Sequence, residues 1–393
     1  MLGGGVGGAI AAMQLSRRLK SEVEVVLIDK EARHYYPPSY PWLVMGWRRP
    51  EQLWRPLSRL KAPNVRLRQE EAVAIDPDER RVTTDAGEVS YDHLLISLGA
   101  QLDPSAIEGF AEGAHHPYDL DGAMGLAKAL QAFRGGKVAV GVTRLPFKCP
   151  AAPYETAFLL DYYFREKGIR DRVEMEFFTP EPFPLPAAGP DIGRQARALL
   201  EERAISLHVK RETDHVDPEA GVVHFKGDGQ MAYDLLVAVP PHTTTEAVRR
   251  SELTKEGPWI PVNRYTMRSS YDDIYAVGDV TSIPTPSGHV PFLPKAGVFA
   301  HGQAKIAAGN IAADLVGGAE VRWDGYGLCF MEIGYGKGGM VRGNFYGEGA
   351  PPVRMRKPRR IWHWGKIFTE RRWLGKLFGR KAAYSSLAPH TPQ

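Results

Sequence analysis

Residues 3–29 read GGGVGGAIAAMQLSRRLKSEVEVVLID, and this pattern predicts the fold of the amino-terminal part of the chain. Its glycines follow the spacing G-x-G-x-x-G at Gly3, Gly5 and Gly8. An Ala-rich helix is expected at Ala9–Leu19, and the apolar strand Val23–Ile28 ends at Asp29. Such glycines let the backbone approach a pyrophosphate at a helix N-terminus, and an acid about 20 residues later can accept hydrogen bonds from an adenosine ribose. The stretch therefore predicts a dinucleotide-binding domain, with Asp29 and Lys30 beside the nucleotide.

The phosphate-binding glycines begin at residue 3, where a strand should already have preceded them. We therefore expect the sequence as given to begin late, inside the first strand of this domain. No run of about 18 apolar residues occurs, so the sequence predicts no membrane-spanning helix.

Two later segments repeat the pattern of a strand that ends at a glycine, namely Tyr91–Ala100 and Asp273–Val280. Their predicted contacts with the cofactor are Gly99, Ala100, Gly278 and Asp279. The first domain is therefore predicted to be discontinuous, with residues 1–115 and 255–320. A second domain is inserted at residues 116–254, and residues 321–393 form a C-terminal region. The predicted fold class is α/β, with two Rossmann-like dinucleotide-binding domains and a membrane-associating C-terminal segment.

The inserted domain opens with a strand but lacks a second glycine motif. Gly135–Val142 runs into Thr143–Pro150, where a proline, a lysine and a cysteine occupy the turn that would hold the pyrophosphate of a nicotinamide cofactor. This argues against NADH as the electron donor. It also puts Cys149 where a second nucleotide would otherwise lie.

Cys149 and Cys329 are the two cysteines of the chain. They are too few for a disulfide-stabilised scaffold and are not spaced like zinc ligands, so two inert buried thiols are one interpretation. The other is a reactive Cys149, because Lys148 and a helix beginning after Pro153 both favour the thiolate. Glu155 is then either a proton acceptor or a first-turn acid that stabilises the helix dipole, and the sequence leaves both interpretations open.

Three stretches and the block around Cys329 resemble the sulfide:quinone oxidoreductases: Phe147–Glu155, Tyr275–Asp279 and Leu293–Ala304. They are almost equally similar to the flavoprotein subunit of flavocytochrome c sulfide dehydrogenase. The resemblance extends over essentially the whole chain. It implies FAD as cofactor, oxidation of sulfide to polysulfide, and transfer of the electrons to a membrane quinone.

The same resemblance implies roles for individual residues. Cys149 and Cys329 would carry the sulfur chemistry, while Lys295, followed by Ala296, would lie near the flavin and stabilise its anionic reduced form. A third cysteine found in many relatives is absent, which leaves the route of sulfur-chain growth open. The aromatic loop Tyr35–Tyr40 also has no cysteine, so FAD is expected to bind without a covalent link.

Basic residues are concentrated in the tail. From Val353 to Lys381 there are eleven Lys or Arg and one acid, Glu370, so this stretch carries +10 and the rest carries −6 of the total +4. Six apolar residues of Ile361–Arg380 are predicted to share one helical face: Trp364, Ile367, Phe368, Leu374, Leu377 and Phe378. Aromatic residues on one side and basic residues elsewhere are typical of a helix at a lipid interface. We therefore expect monotopic attachment to a membrane surface, rather than a nucleic-acid-binding arm or a helix docked on the first domain.

Further expectations concern partners and alternatives. Phe330, Trp373 and Phe378 are the predicted wall of a quinone pocket, and a homo-oligomer without a metal or a nucleic-acid partner is expected. Three other functions stay open: a type II NADH:quinone dehydrogenase, a sulfide dehydrogenase that reduces cytochrome c, and a flavin-binding redox sensor without turnover.

Overall fold

The computed structural model describes residues 1–19, 23–254, 257–286, 288, 290–347 and 353–379 of the 393. Its helices are α1 (Val6–Arg18), α2 (Tyr40–Val44), α3 (Phe110–Gly113), α4 (Leu120–Ala132), α5 (Ala152–Glu166), α6 (Pro190–Glu201), α7 (Glu246–Arg249), α8 (Gly297–Val316) and α9 (Arg360–Phe378). Its strands are β1 (Val25–Ile28), β2 (Arg33–Tyr35), β3 (Trp54–Pro56), β4 (Val65–Arg68), β5 (Ala72–Asp76), β6 (Arg81–Thr84), β7 (Gly87–Ser90), β8 (Leu94–Ile96), β9 (Gln101–Leu102), β10 (Ala114–His115), β11 (Gly136–Val142), β12 (Val173–Thr179), β13 (Ile205–Val209), β14 (Thr213–Asp217), β15 (Val222–Phe225), β16 (Gln230–Ala232), β17 (Leu235–Val239), β18 (His242–Thr243), β19 (Ile260–Pro261), β20 (Ile274–Ala276), β21 (Thr281–Ser282), β22 (Tyr326–Glu332), β23 (Gly338–Asn344) and β24 (Arg354–Arg359).

The glycine turn lies at the carboxyl edge of a parallel sheet built from two distant parts of the chain. β1 pairs with β4, and β8 pairs with β20. Leu2 joins the two pairs, because it bridges Ile28 on one side and Ile96 on the other. The turn that follows Leu2 therefore opens where parallel sheets bind their ligands, outside the carboxyl ends of the strands.

Small side chains bring two helices close together on this sheet. α1 packs against α8, and both contribute fully buried alanines: Ala9, Ala11, Ala12, Ala304, Ala307 and Ala308. Alanine has a high helix propensity and no long side chain to hold two backbones apart. The glycine turn is thus held between the sheet and a closely packed pair of helices.

The inserted part forms a second parallel sheet, with strand order β10-β17-β11-β12-β13. β17 is buried along its whole length and β11 from Val138 onward, which is typical of central parallel strands covered on both faces. β11 ends at Val142, and α5 begins at Ala152, one residue before Pro153 rather than after it. The turn between them carries Cys149.

The C-terminal part is an antiparallel sheet, β22-β23-β24, followed by α9. Cys329 lies on β22, and α9 packs against β22 and β23. Within the described ranges, no helix combines the length and the apolar character needed to cross a bilayer.

The structure divides the apolar face predicted for this helix. Leu374, Leu377 and Phe378 are buried in the core of the first sheet, whereas Trp364 and Phe368 are 53% and 63% exposed. The division arises because charged residues of α9 also point inward, so the exposed apolar residues lie on the opposite side. Arg380 and Lys381 of the predicted basic tail lie outside the described residues.

Candidate active site

A cavity of about 250 Å³ has both cysteines, Cys149 and Cys329, in its wall. Apolar side chains form most of the rest, among them Leu145, Phe147, Trp259, Phe292, Phe299 and Phe345. Among the described residues, the charged side chains in the wall are those of Glu181 and Lys295. The structure thus brings together two thiols from distant parts of the chain, in a surrounding with few polar groups.

Backbone pairing fixes the position of Cys149. Its N–H donates to the carbonyl of Lys295 at 2.7 Å, and Lys148 forms a parallel bridge with the same residue. Cys149 itself has a φ of 56°, in the left-handed region that a side chain with a Cβ seldom adopts. The turn after β11 is therefore tied to the segment before α8.

Burial disfavours the charged form of both thiols. It raises the pKa of Cys149 well above the ordinary value, and the neighbouring Cys329 and Glu155 raise it further. Burial and Glu155 raise the pKa of Cys329 to about 11. Desolvation thus opposes the thiolate that Lys148 and the start of α5 were expected to favour, and a reactive Cys149 stays a prediction. The cation that lowers the pKa of Cys149 is Lys366 of α9.

Glu155 belongs to a buried polar network that the sequence did not reveal. One carboxylate oxygen forms an ion pair with the ammonium of Lys366 and accepts a hydrogen bond from the N–H of Glu332 at 2.8 Å. The carboxylate of Glu332 lies 3.0 Å from Nδ1 of His363. Burial raises the pKa of Glu155, while Lys366 opposes that change. Glu155 lies in the first turn of α5 but is not part of the cavity wall.

The glycine turn has the shape that a nucleotide requires. Gly3 has a φ of +92°, and a Cβ on Gly8 would lie 1.7 Å from the carbonyl oxygen of Gly3. A Cβ on Gly5 would meet nothing within 4 Å, so this side of the turn is open to a ligand. The carboxylate of Asp29 accepts hydrogen bonds from the N–H groups of Gly4 and Glu31.

The second predicted contact region also fits a nucleotide. Oδ1 of Asp279 is buried and has no hydrogen-bond partner among the described residues, so a ligand hydroxyl would satisfy it. Gly278 and Gly99 both have positive φ, and Ala100 follows Gly99 at the carboxyl edge of the sheet. Lys30, by contrast, is half exposed and paired with Glu71 at 3.0 Å.

Lys295 joins the nucleotide region to the sulfur cavity. Its ammonium donates to the carbonyls of Asp279 at 2.8 Å and Thr281 at 3.1 Å, and it lies 3.3 Å from the ring centroid of Trp259. Burial lowers the pKa of Lys295 to about 7, against the opposing effect of Asp279. A nearby ligand that becomes anionic would raise this pKa again.

The residues predicted for a quinone pocket lie on β22 and α9. Nε1 of Trp373 donates to Nε2 of His34 at 3.1 Å, and the ring of Phe378 lies 5.3 Å from the His34 ring. Phe330 faces Gly365 of α9, where an added Cβ would lie 2.9 Å from the phenyl ring. None of these three aromatic residues belongs to the wall around the cysteines.

Residues 1–304 match the family described as pyridine nucleotide-disulphide oxidoreductase. The chain belongs to this family. The oxidoreductase is 28% identical over 355 residues to the mitochondrial sulfide:quinone oxidoreductase of Mus musculus, with 86% of this chain and 76% of the mouse protein covered. It is 29% identical to the sulfide-quinone reductase of Aquifex aeolicus (strain VF5), with 99% and 92% of the two chains covered.

The similarity extends to the fold of a solved structure. The X-ray structure of the Aquifex aeolicus sulfide:quinone oxidoreductase superposes with a TM-score of 0.86 at 27% identity, covering 99% of this chain and 92% of that one. These similarities support the resemblance inferred from the motifs. They confirm the α/β fold with two Rossmann-like domains, and they imply a flavin cofactor.

Proposed function

We propose that this oxidoreductase binds FAD without a covalent link, oxidises sulfide to polysulfide, and transfers the electrons to a membrane quinone. One observation carries the proposal: Cys149 and Cys329 share a cavity wall with Lys295, whose ammonium contacts the nucleotide region at Asp279. The similarity to sulfide:quinone oxidoreductases of Mus musculus and Aquifex aeolicus supports the choice of substrate and acceptor.

The cofactor would be held by residues that follow the strands of the first domain, with Lys30 at the edge: Gly3, Gly5, Gly8, Asp29, Gly99, Ala100, Gly278 and Asp279. When bound, FAD supplies a two-electron acceptor beside the thiols. Sulfide attacks a sulfur that bridges the two cysteines, so that one S–S bond forms, another breaks, and a thiolate leaves. Lys366 stabilises that thiolate through its positive charge, and Lys295 stabilises negative charge on the cofactor side.

Attachment to the membrane surface is the second part of the proposal. Ile361, Trp364 and Phe368 lie one helical turn apart on α9 and are all more than half exposed. Arg371, Arg372 and Lys376 continue the same helix, so an apolar patch and a basic patch adjoin. This combination suits a helix that lies in the lipid interface, where a quinone is available.

We predict that Cys149→Ser and Cys329→Ser each abolish reduction of the flavin by sulfide while leaving flavin binding intact. The reason is that neither cysteine can form the sulfur bridge alone. The measurement is an anaerobic titration with sulfide, followed by flavin absorbance, and a separate titration with NADH. Reduction by NADH would favour the NADH dehydrogenase, and an unchanged spectrum with both reductants would favour a sensor. Activity retained in both cysteine variants would exclude the mechanism.

A further inference from the structure

Glu181 is a cavity residue that the motifs did not reveal. It lies two residues beyond β12, at the carboxyl edge of the inserted parallel sheet, and is 5% exposed. Glu181 belongs to the same cavity wall as both cysteines, whereas Glu155 does not. An acid at the carboxyl end of a central parallel strand is placed where such sheets bind ligands.

Neutral groups surround this carboxylate. The hydroxyls of Thr179 and Tyr154 donate to Oε2 at 3.2 Å and 3.3 Å. No cation forms an ion pair with Glu181 within the part of the chain that the structure describes, in contrast to the pair between Glu155 and Lys366. Burial accordingly raises the pKa of Glu181 to about 7, against the hydrogen bonds, which lower it. The two carboxyl groups therefore differ in the role that they can take. Glu155 is held in an ion pair, whereas Glu181 can exchange a proton.

A buried hydroxyl without a partner lies near the same groups. The hydroxyl of Tyr118 is buried and has no hydrogen-bond partner among the described residues, although the ring is 6% exposed. Burial raises its pKa, and Cys149, Glu155 and Glu181 raise it further, which puts the hydroxyl within electrostatic reach of the thiol and both acids.

We propose that Glu181 is the acid–base residue that takes the proton of hydrogen sulfide at the cysteine pair, an assignment that rests on the proposed function. The carboxylate of Glu181 accepts one proton from hydrogen sulfide, which leaves the hydrosulfide anion and a neutral carboxyl group. An electron pair of the hydrosulfide sulfur then forms a bond to one sulfur of the bridge between Cys149 and Cys329. The bond from that sulfur to its neighbour breaks, and the leaving thiolate keeps the electron pair. The two-electron oxidant in this step is thus the bridging sulfur, and FAD, when bound, would supply the acceptor for the electron pair that the leaving thiolate keeps.

The test is the rate at which sulfide reduces the flavin, measured by anaerobic stopped flow from about pH 5.5 to about pH 9. Because hydrogen sulfide itself titrates in this range, the rate is analysed against the concentration of its neutral form rather than total sulfide. Glu181→Gln should lower the rate by about 100-fold or more and remove the enzyme's inflection near pH 7. The exposed Glu174 of β12 provides the matched control, and Glu174→Gln should leave rate and inflection unchanged.

A second variant tests the assignment without removing the carboxyl group. Tyr154→Phe deletes a hydrogen bond that lowers the pKa of Glu181, so the inflection should move to higher pH. The ionisation of hydrogen sulfide is the same in every variant, so this shift reports on the protein. Infrared difference spectra should also show a carboxyl band that titrates near pH 7 and is lost in Glu181→Gln.

The outcomes separate the two proposals. If sulfide fails to reduce the wild-type flavin at any pH, the proposed function is wrong. If the wild type is reduced but Glu181→Gln keeps the wild-type profile, or Tyr154→Phe leaves the inflection in place, the role of Glu181 is wrong. Should Glu181→Gln lose its flavin, Tyr154→Phe alone decides.

Discussion

Lys366 and Glu155 form an ion pair whose side chains are 5% and 7% exposed. Removal of one partner leaves the other as an isolated buried charge, so Lys366→Met should lower the free energy of unfolding by about 3 to 5 kcal/mol. The cation also opposes the burial that raises the pKa of Glu155, so its loss raises that pKa further. A carboxyl group whose pKa is higher in the folded state than in the unfolded state loses stability as pH rises between the two values. The loss should therefore be smaller at pH 5 than at pH 8, as measured by urea unfolding.

Two controls belong to this prediction. The double variant Glu155→Gln, Lys366→Met removes both charges and should recover most of the stability. Arg66→Met breaks the pair with Glu24, whose side chains are 71% and 68% exposed, and should cost less than about 1 kcal/mol. Equal losses for Arg66→Met and Lys366→Met would contradict the assignment of a buried pair.

The sequence indicated those site residues that belong to local motifs. The glycines of the first turn, Asp29 and Asp279 follow strands at recognisable spacings, and the resemblance supplied Cys149, Cys329 and Lys295. Glu181 and Lys366 belong to no local motif. The role of each depends on a partner far away in the chain, which a sequence pattern does not show. Trp373 and Phe378 pack on His34, and their place in a quinone pocket stays a prediction.

At the scale of elements, α9 has two faces with different roles. Lys366 and Glu370 point inward, where Glu370 pairs with Arg48 at 2.9 Å, while Ile361, Trp364 and Phe368 point outward. Periodicity alone counted six apolar residues as one face because it could not tell which side the charged residues would occupy. The triple variant Ile361→Gln, Trp364→Gln, Phe368→Gln should weaken binding to anionic vesicles at least about tenfold, because the apolar contribution to lipid binding is lost.

Cosedimentation with vesicles that contain phosphatidylserine measures this prediction. Val73 of β5 is 46% exposed and distant in sequence, so Val73→Gln is the matched control and should bind as the wild type does. Reduction of the flavin by sulfide in solution should be unchanged in the triple variant. Unchanged vesicle binding would leave α9 as a docked helix without a membrane role.

At the scale of the whole molecule, the nucleotide region joins three stretches that are far apart in sequence. Gly3, Gly99 and Asp279 come from both sides of the inserted sheet, and Leu2 connects the two halves of the first sheet. FAD should therefore stabilise the entire first domain, by about 2.7 kcal/mol at about 100 times its Kd. Calorimetry of the apoprotein with added FAD measures the shift in Tm.

Gly8→Ala is the control for the stabilisation of the first domain by FAD. Its Cβ would lie 1.7 Å from the carbonyl oxygen of Gly3, so the turn cannot keep its shape. The variant should show no rise in Tm with FAD. A rise equal to that of the wild type would mean that FAD binds elsewhere.

The hydrocarbon wall around the cysteines has a consequence for discrimination among reductants. Leu145 and Phe292, both about half exposed, stand at the edge of a space of about 250 Å³. A bulky, ionised thiol such as glutathione would have to shed most of its hydration shell against this mainly apolar wall, which costs several kcal/mol. Hydrogen sulfide is small and uncharged, so it gives up almost no hydration free energy when it enters this space. In the proposed mechanism, selection of hydrogen sulfide over larger, charged thiols is thus a property of solubility and size, set by side chains that take no part in the bond-making steps.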